Sequence, residues 1–99
     1  MKLHFSPEAV ADIIEYEALV SREDVRAAEK WTELIFHKAD RIAEFPESGR
    51  IVPEFDRPDL REVIVRSHRL VYRIRGKAVQ IVRVFHSARL LRASELGEE

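Results

Sequence analysis

The sequence contains no cysteine, which excludes a disulfide framework and any thiolate metal site. Its three glycines form no glycine-rich phosphate loop. No apolar run approaches the ~18 residues that a membrane-spanning helix requires. The four histidines, His4, His37, His68 and His86, never fall at the paired spacing of an H-E-x-x-H zinc motif. Neither a metal nor a cofactor is therefore expected. Met1 is followed by Lys2-Leu3-His4-Phe5-Ser6-Pro7 rather than an apolar signal core, so a cytoplasmic protein is expected. There is no internal repeat, low-complexity tract or flexible linker. Residues 1–99 are expected to fold as a single domain, long enough to build a core without staples.

What is present is charge, unevenly placed. The net charge of −1 conceals seven Lys/Arg against thirteen Asp/Glu in residues 1–56, and ten against two in residues 57–94. The first part carries −6, the second +8, and the last five residues −3. A basic half on a near-neutral chain is a footprint for a polyanion or an acidic partner. The alternative is that basic strands face acidic helices within the fold.

Lys2 to Phe5 reads as a short strand with Leu3 and Phe5 on one face. Ser6-Pro7-Glu8 opens a helix: the serine caps, the proline occupies the first turn and the glutamate faces the positive end. Val10, Ile13, Ile14 and the stem of Glu17 form its apolar stripe, and it ends near Val20. Ser21-Arg22-Glu23-Asp24 reads as a capping box with Ser21 as cap. The second helix runs from Glu23 to Glu44, with Ala27, Trp31, Leu34, Ile35, the Lys38 stem, Ile42 and Phe45 turned inward. Pro46 and Gly49 end it, and residues 51–59 read as an ordered loop.

Three strands follow. Leu60 to Arg66 carries Val63-Ile64-Val65, which suggests burial on both faces. Ser67-His68 makes a turn. In the next strand Leu70, Tyr72 and Ile74 share one face, and Arg69, Val71, Arg73 and Arg75 the other. After Gly76-Lys77, strict alternation over Ala78 to His86 places Val79, Ile81, Arg83 and Phe85 together. The tail after Leu91 is polar and is expected to fray.

Arg69, Arg73 and Arg75 would be unpaired guanidinium groups beneath the helices, so they are expected on an open sheet face. Arg61, Arg66 and Arg83, with His86 and Arg89 just past the last strand, complete a basic surface suited to carboxylates or phosphates. A nuclease acting through the 2′-hydroxyl would need a base, an acid and a cation, and Arg69, His86 and Arg89 are the candidates. The alternative for His86 is a strand end bonded to backbone. The serines read as caps and turns.

Several stretches resemble one family. They are Phe5-Ser6-Pro7-Glu8-Ala9 with Asp12-Ile13, then Arg41-Ile42-Ala43-Glu44-Phe45-Pro46-Glu47-Ser48-Gly49-Arg50. Leu60-Arg61-Glu62-Val63, Arg69-Leu70-Val71-Tyr72-Arg73 and Val79 through Arg89 follow in order and at the family's spacings. Together they resemble the RelE/ParE superfamily of type II toxin–antitoxin toxins, also known as plasmid stabilisation proteins. The resemblance implies an α+β fold, β-α-α-β-β-β, with an antiparallel sheet against an α-helical hairpin. It also implies a cognate antitoxin as partner, and operator DNA contacted only through the antitoxin complex.

Two activities compete within the superfamily. RelE-like members are ribosome-dependent, metal-independent mRNA endoribonucleases. ParE-like members inhibit DNA gyrase without catalysing a reaction. The two lysines that RelE carries on the strand before Arg69 are Glu62 and Ile64 here, and Leu90-Leu91-Arg92-Ala93-Ser94 lacks its tyrosine. His86-Ser87-Ala88-Arg89 after Arg83-Val84-Phe85 is closer to ParE. The ParE-like branch is thus favoured, with the endoribonuclease as first alternative. A non-toxic relative acting in antitoxin binding and repression is the second. The partner- or target-binding residues implied are Arg61, Arg66, Arg69, Arg73, Arg75, Arg83, His86 and Arg89.

Overall fold

Ser6 is where the chain turns from strand to helix, and its hydroxyl acts twice. In the computed structural model, which describes residues 1–96, Oγ accepts from the Ala9 N–H at 3.0 Å and donates to the Val82 carbonyl at 2.7 Å. This joins β1 (Lys2–Phe5) and α1 (Pro7–Ser21) to the strand that runs beneath them. The inward stripe of α1 is Ala9, Ile13 and, in part, Tyr16. Val10 and Ile14, expected inside, are exposed at 41% and 62%. The small Ala9 lets the helix lie close to the sheet, which rotates its larger neighbours outward.

α2 (Val25–Glu44) is capped by Asp24, whose carboxylate accepts from the Ala27 N–H at 3.0 Å. The expected cap, Ser21, is instead the last residue of α1, and its hydroxyl bonds back to the Ala18 carbonyl. The buried stripe is Ala28, Trp31, Ile35, Ala39 and Ile42. Trp31, Ile35 and Ile42 are buried as predicted, while Ala28 and Ala39 take the places expected for Ala27 and the Lys38 stem. Phe45 is exposed, with Arg41 over its ring.

The two helices cover one face of a five-stranded sheet in the order β1-β5-β4-β3-β2. β2 (Arg50–Ile51), within the segment read as loop, β3 (Leu60–Val65), β4 (His68–Arg75) and β5 (Ala78–His86) pair antiparallel. β1 joins the far edge parallel to β5, so the sheet is mixed. The β3–β4 turn is Arg66-Ser67, with Arg66 in the left-handed region at φ 56°, one residue earlier than predicted. That register leaves Ile64 46% exposed.

β4 alternates as its sequence predicts, with Leu70 and Tyr72 in the core under the helices and Val71 on the opposite face. β5 does not. Val71 pairs with Arg83 and Tyr72 with Ile81, so Val82 is an extra residue, a β-bulge. Beyond it the parity reverses. Val84 joins Val79 and Ile81 under the helices, while Phe85 turns to the other side.

That other side is not open. Val52, Leu60, Val71, Val82, Phe85, Leu91 and Leu96 form a second buried cluster, with Phe55 against it. The segment after β2 and the end of the chain, including a 3₁₀ turn at Ala93–Leu96, lie across the sheet. The tail expected to fray after Leu91 is held through Leu96, because two leucines reach apolar floor between the arginines. No helix among the described residues is long and apolar enough to cross a membrane.

Candidate binding site

Arg69 and Arg73, expected on an open face, are 4% and 7% exposed. Burial at this level requires compensation, and Arg69 has it on every nitrogen. Its Nε donates to Glu62 Oε1 at 2.7 Å, and its Nη2 is 2.6 Å from that oxygen. Glu54 accepts from Nη1 and Nη2 at 2.7 and 2.8 Å, a bidentate pair. The Arg89 carbonyl takes a further bond from Nη1 at 2.9 Å. Glu62 is also buried and accepts from Arg50 Nε at 2.5 Å. Arg50, Glu62, Arg69 and Glu54 therefore alternate in sign along one chain of ion pairs.

The titration of these groups follows from the geometry. The bond from Arg69 holds the Glu54 carboxyl down at about 2, against the opposing cost of burial. The Glu54 bond in turn raises Arg69, with Glu62 adding to it. The sequence reading missed both acids. Glu62 was readable, because in an antiparallel pair with a two-residue turn it stands diagonally across from Arg69 on the same face. Glu54 lies in an irregular segment, where no periodicity gives direction.

Arg83 is tied as firmly. Asp12 on α1 accepts from its Nε and Nη2 at 2.8 and 2.9 Å, and from the Val84 N–H at 2.9 Å. One carboxylate thus holds the bulge and docks α1 on β5, and Asp12 raises the Arg83 pKa. Arg61 spans the helix exit, donating to the Pro58 carbonyl at 2.9 Å and the Gly49 carbonyl at 3.0 Å. Arg73 donates to the Leu96 carbonyl at 3.1 Å.

The remaining predicted residues divide between the ends of the sheet. Arg75 is exposed at the Gly76-Lys77 end. Arg66, His86 and Arg89 are exposed at the opposite end, where the Ser87 N–H bonds to the Ser67 carbonyl at 2.7 Å and ties the β3–β4 turn to the segment after β5. The Arg89 guanidinium lies 4.5 Å from the Phe85 ring centroid, with Arg83 at 4.2 Å. Glu95 pairs with Arg89. A cavity of about 370 Å³ opens here, lined by Arg50, Pro53, Glu54, Arg69, Ser87, Arg89 and Leu90. Leu90 is 75% exposed, and the side chains of Arg50 and Arg89 are 61% and 55% exposed.

His68 lies behind this end. It is buried, with ring centroids 4.2 Å from Tyr16, 5.2 Å from Trp31 and 5.9 Å from His86. Burial first, then the neighbouring His86, lowers its pKa, while Asp12 opposes. Among the described residues no group of three His, Asp or Glu side chains is placed to hold a metal ion. The arrangement offers exposed cations, an exposed leucine and a shallow cavity. Its best-formed guanidinium is already spent.

Residues 3–91 match the family described as ParE toxin of type II toxin-antitoxin system, parDE. The chain belongs to the ParE toxin family. A solved structure titled "Chromosomal ParDE TA system from P. aeruginosa" superposes on it with a TM-score of 0.71 at 22% identity, covering 87% of this chain and 95% of that one. The shared fold is the hairpin-on-sheet architecture described above. No curated protein matches the sequence significantly. ParE membership places the exposed Arg66–Arg89 end and the ion-paired interior on a toxin fold.

Proposed function

We propose that this ParE-family chain is the toxin of a cytoplasmic type II pair that acts by binding and inhibiting DNA gyrase, and that a cognate antitoxin neutralises it. The observation that carries this reading is the state of Arg69. A nuclease would use it as a cation for a phosphoryl transition state, yet all three of its guanidine nitrogens are engaged by Glu54, Glu62 and the Arg89 carbonyl. Freeing it would leave two carboxylates without their partner in a buried network. What faces outward at this end is a set of binding groups: Arg50, Arg66, His86, Arg89 and Leu90. An exposed leucine beside the Arg50 and Arg89 side chains suits an acidic protein surface, the antitoxin or the target.

The test is a supercoiling assay with purified protein, alongside induction in cells lacking the antitoxin. Inhibited gyrase and replication arrest are expected, relieved by the antitoxin. Cleaved messages and arrested translation with unimpaired gyrase would overturn the reading in favour of the endoribonuclease.

A further inference from the structure

The sheet carries a second cationic face at the end opposite Arg66 and Arg89. The register places Lys2, Ala78 and Arg75 in one row across β1, β5 and β4, and His4, Gln80 and Arg73 in the next. Residues paired across a sheet, and residues two apart on a strand, share a face. All six therefore point to the same side, the one opposite the helices. Lys2, His4 and Arg75 are exposed, Ala78 and Gln80 half-buried. His4, Arg73, Arg75, Ala78 and Gln80 line a cavity of about 210 Å³.

We propose that this face is a binding site for a phosphate group. At a strand spacing of about 4.8 Å, the Lys2 and Arg75 backbones stand roughly 10 Å apart, and the short Ala78 side chain leaves the floor between them clear. The cavity is lined by an imidazole, a guanidinium and a carboxamide, and the register sets the Lys2 ammonium on the same face beside Ala78. That is more donors than the two oxygens of one carboxylate accept, and a tetrahedral, multi-oxygen anion uses them better. Arg73 also lines this cavity, with its guanidinium donating to the Leu96 carbonyl at 3.1 Å. The site lies away from the Arg66–Arg89 end and does not depend on the gyrase reading.

The phosphate could come from a small phosphorylated molecule or from a nucleic-acid strand, and the experiment separates them. Full-length protein is titrated with pyrophosphate, a short single-stranded oligonucleotide and an oligoglutamate peptide. Variants are Ala78→Glu, which puts an anion on the floor, and Lys2→Gln/His4→Gln, which removes two donors. Saturable pyrophosphate binding is expected, weakened at least about tenfold in both variants while their circular dichroism and growth arrest match the wild type. Tighter, salt-dependent oligonucleotide binding identifies a strand, and equal or weaker binding a small ligand. No saturable pyrophosphate binding, equal binding by the variants, or oligoglutamate binding as tightly as pyrophosphate overturns the site. Because these variants spare the Arg66–Arg89 end, its failure leaves the gyrase reading standing, and the converse holds.

Discussion

Glu62 shows how much a single carboxylate carries in this fold. Its side chain is fully buried, and it bonds to Arg50 and Arg69 with different oxygens. Removing it leaves Arg69 buried with one acid fewer, a change that costs about 3–5 kcal/mol when a buried pair is broken from one side. Glu62→Ala is therefore expected to lower the unfolding free energy in urea by about 3 kcal/mol or more. Glu54 makes the same network sensitive to acid. Its carboxyl falls from 4.5 to about 2 on folding. The unfolded chain thus binds a proton that the native state refuses, and the stabilisation, complete above pH 4.5, is lost as pH falls through about 2. Glu54 is partly exposed, so solvent screening reduces its share of this stability to about 1 kcal/mol. Glu54→Gln should lower neutral-pH stability and flatten the curve over that window. A variant that retained the wild-type acid slope would show that another carboxyl is responsible.

Between elements, the joint of α1 and α2 with the sheet end is made by Tyr16, Trp31 and His68, whose rings meet tilted or edge to face. His68 has a lowered pKa in the folded state, chiefly through burial. The unfolded chain gains a proton first as pH falls below 6.5, so stability drops there and levels off below the folded pKa. His68→Phe keeps an aromatic ring and removes the proton site. Thermal melts from pH 7 to 5 should show a smaller loss in the variant. The elements themselves were largely legible in the sequence, because capping at Ser6-Pro7 and the alternation of Leu70, Tyr72 and Ile74 are local signals. The bulge at Val82 was not, since residues 81–85 include apolar side chains of both parities and the group that fixes it, Asp12, lies 72 positions from Val84. The site was legible only in composition. Alternation correctly turned Arg69 and Arg73 away from the helices, but nothing local showed that Glu54, Leu91 and Leu96 would return to cover them.

At the scale of the whole molecule, those returning segments separate arginines that hold the fold from arginines that face solvent. The second core binds the end of the chain through Leu91 and Leu96, which are 6% and 2% exposed. Each leucine-to-alanine change in such a place costs about 2–5 kcal/mol. Leu91→Ala/Leu96→Ala should thus be strongly destabilised, with any loss of toxicity following loss of fold. Arg66 and Arg89 are different. Arg66 is exposed at a turn, and Arg89 is paired with Glu95 and rests on Phe85. Exposed pairs of this kind contribute about 0–1 kcal/mol. Arg66→Gln/Arg89→Gln should therefore unfold within about 1 kcal/mol of the wild type. If this end meets an acidic partner surface, it should inhibit gyrase at least about tenfold less well, an effect that grows as salt is lowered. Stability in urea and supercoiling inhibition, measured on the two double variants together, separate the roles. Undiminished inhibition by the folded arginine variant would move the contact surface elsewhere, whereas a stable leucine variant would mean that the end of the chain is not part of the core.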